Sequence, residues 1–171
     1  GVGRDDLLSD DIAKAHHDIA RTVAEHSSVL LKNDAATLPL KPGTRVAVIG
    51  DMAATTRYQG SGSSKVNATK EENILDEVKN AEGLVLAGYE QGYDRQGAVA
   101  LAKKDAVDVV LAVVGLDERS ESEGLDRSTM AIPQAQNDLV TALAKTGKPV
   151  VIVLVAGSPV ELPWFNDVAA M

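Results

Sequence analysis

Apolar and polar positions alternate along the chain in blocks that predict helices and buried strands. The first block, over residues 9–31, has apolar side chains at about every third or fourth position, which is typical of an amphipathic helix. Four short and almost wholly apolar runs follow, and each predicts a strand that is buried on both faces. The predicted strands cover residues 45–50, 83–88, 107–115 and 149–155.

Helical patterns separate the four predicted strands. Thr69 and Glu72 are spaced as a capping box, which predicts a helix from there to about residue 79. Asp94 and Pro133 stand at the starts of two further helical patterns. Strands that alternate with helices predict right-handed crossovers and a parallel sheet. The predicted fold class is therefore α/β, a three-layer sandwich with a mainly parallel sheet, helices on both faces and a flavodoxin-like arrangement.

Two long connections and the end of the chain add to this prediction. Residues 51–68 follow the first predicted strand and residues 116–132 follow the third. Ligands of parallel sheets bind beyond the carboxyl ends of the strands, so these loops are the candidate functional segments. No closing helix follows the last predicted strand. We therefore expect an incoming linker and first helix over residues 1–44, and a sandwich over residues 45–171 that is incomplete at its C-terminus.

Composition and charge exclude several functions. The 171 residues include 25 Asp plus Glu and 17 Lys plus Arg, and the net charge of −8 disfavours a nucleic-acid partner. The sequence has no cysteine, which excludes disulfides, thiolate metal ligands and cysteine nucleophiles. No apolar run reaches the length of about 20 residues that a membrane span needs. No secretory signal opens the sequence, so a cytoplasmic location is favoured while the compartment stays unassigned.

The first long loop is rich in glycine and hydroxyl groups. It contains the run GSGSS at residues 60–64, flanked by Arg57 and Asn67. Glycine-rich turns after a first strand often bind phosphate, but the spacing here fits neither the dinucleotide-binding motif nor the P-loop. This mixture of groups suits a neutral polyol better than phosphate. A solvated, mobile loop is the alternative interpretation.

The second long loop is acidic. Five carboxylates lie within residues 117–126, and two arginines lie beside them. Neighbouring carboxylates raise one another's pKa, whereas a nearby arginine lowers it. One carboxyl group that stays protonated near neutral pH would be able to act as a general acid. A divalent-metal site and a run of charge on a solvated loop are the alternatives.

Several segments, taken together, resemble the second domain of family 3 glycoside hydrolases, the β-glucosidase group. In chain order they are VLLKN (29–33), LPL (38–40), VAVIG (46–50), RYQGSGSS (57–64), VVGL (113–116), ESEGLDR (121–127), IPQAQ (132–136) and GSPV (157–160), with Trp164. The sharpest match is ESEGLDR. The resemblance covers nearly the whole chain, with its motifs in the order that the family has.

This resemblance implies an α/β sandwich domain of a retaining β-glycosidase, which hydrolyses O-glycosyl bonds of β-linked glycosides. In that family a (β/α)₈ barrel supplies an aspartate nucleophile, and the sandwich supplies the acid/base from a loop like residues 116–127. Glu123 is the expected acid/base and Glu121 the runner-up, with Asp126 and Arg127 as loop support. No metal or cofactor is implied, and without the barrel nucleophile the chain alone is expected to be inactive.

The resemblance also implies which residues bind the substrate. They are Arg57, Ser61, Ser63, Ser64 and Asn67, which would line the sugar site or the interface with the barrel.

Two other functions compete with a glycosidase domain. One is a non-catalytic α/β module that binds carbohydrate or a partner. The other is an Mg²⁺-dependent, receiver-like domain, for which Asp51 and Asp117 follow the first and third predicted strands. Such a receiver also needs a lysine just after the last strand, and residues 156–158 contain none. The sequence leaves the sugar, the linkage and the oligomeric state open.

Overall fold

The computed structural model describes residues 9–171, which form four α-helices around a four-stranded sheet. The strands are β1 (Thr44–Ile49), β2 (Leu84–Glu90), β3 (Val109–Gly115) and β4 (Val150–Val155). The helices are α1 (Asp10–Ser27), α2 (Ile74–Asn80), α3 (Arg95–Ala102) and α4 (Gln134–Ala144). All three strand pairs are parallel, in the order β2-β1-β3-β4. The predicted α/β fold class is confirmed.

Two predicted helix boundaries are wrong. The first helix ends at Ser27, and the apolar residues that follow it are not helical. The capping box at Thr69 does not form, because α2 begins later, with Asn73 as its N-cap. The carboxylate of Glu72 instead binds side chains from α1, which lies 51 or more residues earlier in the chain. Long-range ion pairs therefore override a local capping signal here.

Both faces of the sheet are buried. Along β1, Ala47 and Ile49 pack on the side of α3 and α4, while Val46 and Val48 pack on the side of α2. The strands β3 and β4 alternate in the same way between the two apolar cores. This arrangement explains why the strands are apolar at nearly every position instead of at every second one.

A buried polar pair joins the last segment of the chain to α4. Trp164 is 1% exposed, and its indole N–H donates to Oδ1 of Asn137 at 2.8 Å. The Asn137 amide in turn donates to the carbonyl oxygen of Ile132 at 3.3 Å. Because both side chains are buried, each polar atom depends on this partner.

The C-terminal segment lies along the outer edge of β4. Ala170 forms a parallel bridge with Val151 and an antiparallel bridge with Asn33. These bridges fix the segment after α1 to the sheet.

None of the helices in residues 9–171 is long and apolar enough to cross a membrane.

The Trp164–Asn137 hydrogen bond should contribute measurably to stability. Trp164→Phe leaves the buried Asn137 carbonyl oxygen without a donor, and we expect it to lower the free energy of unfolding by about 1–3 kcal/mol. Urea denaturation measures this loss. In a double-mutant cycle with Asn137→Ala, the two losses should couple by about 1 kcal/mol. Strictly additive losses would contradict the pairing.

Candidate functional site

The two long loops start side by side because β1 and β3 are neighbours and end at the same edge of the sheet. Gly115 ends β3 with φ at 152°, and a Cβ atom there would overlap the carbonyl oxygen of Val155 on β4. A side chain at this position would therefore separate the two strands. The acidic loop starts at this close approach, next to the loop that follows β1.

The glycine-serine turn and the acidic loop bind each other. Ser61 and Ser122 form a parallel bridge, and the Glu123 N–H donates to the Ser61 carbonyl oxygen at 3.1 Å. The Ser63 N–H donates to Oε2 of Glu123 at 2.6 Å. Gly62 has φ at 105°, and a Cβ there would lie 2.6 Å from the Cβ of Glu123. Only glycine at position 62 leaves room for this contact. The side chain of Glu123 remains exposed to solvent.

Glu121 occupies a different environment, in which its carboxylate joins three loops. Its side chain is 15% exposed and pairs with Nη1 of Arg57 at 2.8 Å. The Gly157 N–H donates to Oε1 at 2.9 Å and the Ser158 hydroxyl donates to Oε1 at 3.0 Å. Arg57 also donates to the carbonyl oxygen of Leu116. Glu121 therefore holds the loops after β1, β3 and β4 together.

Both glutamates are more acidic than usual in this domain. Burial acts to raise the pKa of Glu121, but hydrogen bonds from Arg57, Ser158 and Gly157 outweigh it and lower the pKa. Hydrogen bonding by the side chain and the backbone N–H of Ser63 lowers the pKa of Glu123. The expectation that clustered carboxylates raise one another's pKa is wrong here, because each glutamate has its own donors.

The remaining acidic residues of the loop have three different environments. Asp117 accepts from the N–H and the hydroxyl of Ser120, each at 2.8 Å, and so closes a turn. Glu118 pairs with Lys65 at 3.1 Å across the two loops, and both side chains are about half exposed. Asp126 is exposed and makes no hydrogen bond with any described residue. Within residues 9–171 no group of three or more His, Asp or Glu could hold a metal ion.

Three of the five predicted substrate-binding residues bond to the acidic loop, and two do not. Ser61 and Ser63 touch Glu123, and Arg57 is committed to Glu121. Ser64 and Asn67 are exposed, and neither bonds to the acidic loop in the part of the chain that the structure describes.

Arg127 supports the acidic loop from its other end. Its Nη2 donates to the Ser158 hydroxyl at 2.7 Å and to the Pro159 carbonyl oxygen at 3.1 Å. Sequence reasoning missed Gly157 and Ser158 as parts of the site. Their signal was present only as a turn that follows a buried strand, a place where loops of parallel sheets converge.

Open clefts flank the acidic loop. Two adjoining clefts of about 520 and 510 Å³ share a wall of Asp126, Arg127 and Thr129. A third cleft of about 430 Å³ lies over the ends of β1 and β3, where the Tyr93 hydroxyl donates to Asp51 at 2.9 Å. The acidic loop therefore stands between concave surfaces at the edge where parallel sheets bind ligands.

Comparison with known proteins identifies the family. Residues 28–171 match the model of the glycosyl hydrolase family 3 C-terminal domain. The chain belongs to this family. The resemblance noted in the sequence is thereby confirmed, and the match starts directly after α1 ends at Ser27.

Relatives of this family 3 domain are much longer than the chain. It is 42% identical over 166 residues to thermostable beta-glucosidase B of Acetivibrio thermocellus, covering 92% of this chain and 22% of that protein. It is 39% identical over 171 residues to an exo-alpha-(1->6)-L-arabinopyranosidase of Bifidobacterium longum, covering 90% of this chain and 22% of that protein. The chain therefore spans about a fifth of the length of these curated relatives.

A solved structure agrees with the fold. The GH3 beta-glucosidase of Bifidobacterium adolescentis superposes with a TM-score of 0.83 at 38% identity, and the match covers 97% of this chain and 25% of that one.

Glu121 should act as a structural carboxylate. Glu121→Gln removes the charge that faces Arg57, and we expect the free energy of unfolding to fall by about 1–3 kcal/mol in urea denaturation. The control is Glu118→Gln, whose exposed pair with Lys65 should be worth less than about 1 kcal/mol. Equal effects of the two substitutions would contradict this role.

The same carboxylate should make stability depend on pH. Since the folded-state pKa of Glu121 is lowered, its contribution is complete above the unfolded value of about 4.3. The contribution is lost as the pH falls through the folded-state pKa. The difference in unfolding free energy between the wild type and Glu121→Gln should therefore shrink in acid.

Proposed function

We propose that this chain is the acid/base-carrying domain of a retaining β-glycosidase, in which Glu123 is the general acid/base. The observation that carries the proposal is the contrast between two glutamates on one loop. Glu121 is bound on both oxygens by Arg57, Gly157 and Ser158. Glu123 is exposed, and its Oε1 accepts no hydrogen bond from any residue that the structure describes. A group that exchanges protons with a substrate needs such a free oxygen.

The proposed chemistry needs a second carboxylate from outside the chain. In a retaining mechanism the nucleophile attacks the anomeric carbon while Glu123 gives its proton to the leaving oxygen. Glu123 then takes a proton from the water that hydrolyses the glycosyl-enzyme bond, which restores both carboxyl groups. The two carboxyl groups of such enzymes lie about 5–5.5 Å apart. We therefore propose that a (β/α)₈ barrel domain carries the nucleophile and faces the acidic loop.

The low pKa of Glu123 in this domain is consistent with an incomplete site. A general acid at neutral pH needs a raised pKa, and burial and a nearby carboxylate both raise it. A barrel and a bound glycoside would supply both effects. They would also compete with Ser63 for the Glu123 carboxylate.

The other site residues take supporting roles in this proposal. Ser61, Ser63, Ser64 and Asn67 contact the sugar or the barrel, while Arg57 fixes Glu121. Arg127 supports the loop through Ser158 and Pro159, whereas the support expected from Asp126 has no hydrogen bond behind it within residues 9–171. We further propose residues 1–44 as the incoming segment and residues 45–171 as the sandwich. Residues 1–8 of that segment lie outside the described part of the chain.

The chain alone should not hydrolyse an aryl β-glucoside. A single acid/base cannot form the covalent glycosyl intermediate without a nucleophile. Release of the phenol by the purified 171-residue chain should equal that of buffer. Saturable turnover that is abolished by Glu123→Ala would show that both carboxylates lie within the chain.

In the complete polypeptide, Glu123→Ala should slow poor leaving groups much more than activated ones. General acid catalysis contributes about 10²–10⁴-fold, and an activated phenolate needs little of it. Steady-state rates on an alkyl and a dinitrophenyl glycoside measure the difference, and azide should restore turnover of the second.

The matched control is Glu118→Ala, on the same loop and also solvent-exposed, which should leave the leaving-group dependence unchanged. If Glu121→Ala shows the azide rescue and Glu123→Ala does not, the acid/base assignment is wrong. If no variant of the loop affects turnover, a carbohydrate- or partner-binding module becomes the better description.

A further inference from the structure

Helix α1 exposes its apolar side. Ile12, Ile19 and Val23 are 45%, 61% and 58% exposed, and none of the residues of α1 is buried. At 3.6 residues per turn these three side chains lie within roughly 40° of one another around the helix axis. They form one apolar stripe, which we call the α1 stripe.

The polar side of α1 is the side that contacts the sandwich. His17 and Arg21 both reach Oε1 of Glu72, at 3.1 and 2.5 Å. Hydrogen bonds from Lys70, His17 and Arg21 lower the pKa of Glu72 to about 2, so this carboxylate stays ionised. On the helix, His17 and Arg21 lie roughly 140–180° from Ile12. The α1 stripe therefore points away from the domain.

This orientation is the reverse of the usual one. An amphipathic helix of a globular domain normally turns its apolar stripe toward the core. Here the exposed apolar surface continues along the chain through Val29, Leu30 and Leu31, which are all more than half exposed. Exposed apolar patches of this kind mark interaction surfaces.

The comparisons show that α1 is shared with a much longer protein. The family model begins at residue 28, so α1 lies outside the C-terminal domain proper. The match to the Bifidobacterium adolescentis enzyme covers 97% of the chain, more than residues 28–171 provide, so it extends into α1. That enzyme is also about four times as long as the match. Helix α1 is thus shared with a protein that has a large additional part.

We propose that the α1 stripe docks on the additional domain of the complete polypeptide, the (β/α)₈ barrel. The identity of the occupant rests on the proposed function, whereas the outward orientation of the stripe does not. In this arrangement α1 is a two-sided connector, with its apolar side on the barrel and its polar side on Glu72. The backbone of Glu72 is itself bonded to the Thr56 hydroxyl at 2.7 Å, next to Arg57. The connector is therefore linked to the loop that faces Glu123.

Thiol labelling tests the docking directly, because the chain contains no cysteine. Ile19→Cys places a thiol in the α1 stripe, and Glu25→Cys is the control on another, exposed face of the same helix. In the 171-residue chain both thiols should react with a maleimide at similar rates. In the polypeptide that includes the barrel, the thiol at position 19 should react at least about tenfold more slowly and that at position 25 at an unchanged rate. Peptide mass spectrometry identifies the labelled position.

Two results would overturn the proposal. Equally fast labelling of position 19 in both polypeptides would mean that the barrel does not cover the stripe. Protection of position 19 that already occurs in the 171-residue chain, and that grows with its concentration, would mean that a second copy covers it. Labelling needs no turnover, so a protected but inactive polypeptide would contradict the proposed function and leave the docking intact.

A charge substitution provides an independent measurement. Ile19→Lys keeps or improves helix propensity, so any loss of stability comes from the contact and not from the helix itself. We expect it to lower the unfolding midpoint of the complete polypeptide but not that of the 171-residue chain. Glu25→Lys introduces the same side chain off the stripe, four residues from Arg21, and should change both midpoints by the same small amount. A shift in the 171-residue chain as large as that in the complete polypeptide would contradict the docking.

Discussion

Both faces of the parallel sheet are sealed by apolar side chains, and this constraint decides where chemistry can occur. Val46 and Val48 fill one core while Ala47 and Ile49 fill the other, so the half of β1 nearest its carboxyl end has no side chain left for a ligand. Polar groups collect instead in the loops beyond the carboxyl ends of the strands. Because β1, β3 and β4 are neighbours, the carboxylate of Glu121, on the loop after β3, can reach donors from the loops after β1 and β4.

The environment of each loop glutamate is set by its neighbours in space and not by its position in the sequence. Glu121 and Glu123 are two residues apart, yet one is held by a guanidinium and the other rests on the Ser63 N–H. A largely buried carboxylate that pairs with arginine is costly to protonate, which suits a structural anchor and not a proton donor. Within residues 9–171, the exposed carboxylate of Glu123 has no arginine partner and accepts from one backbone N–H, that of Ser63. The anchor can therefore hold the loop while the other glutamate stays available.

Elements with a dense local signal could be predicted from the sequence. The four strands follow from apolar runs that end near glycine, and the family follows from motifs such as ESEGLDR. Contacts between distant segments could not be predicted. Glu72 looked like half of a capping box because the pattern that defines such a box spans only four residues. Its distant partners, His17 and Arg21, come from α1, and no local rule connects them to Glu72. The lowered pKa of each loop glutamate depends on similar distant donors.

A glycosidase site divided between two domains sets a geometric demand that one loop cannot meet. The two carboxyl groups must stay within about half an ångström of a productive separation, and only a rigid interface can keep them there. A flexible linker would let the domains rotate about each other. In the arrangement we propose, a helix that binds the sandwich through one face and the barrel through the other removes that freedom. If α1 docks as we propose, its reversed amphipathicity serves the shared site, and its polar anchor at Glu72 is needed as much as its apolar stripe.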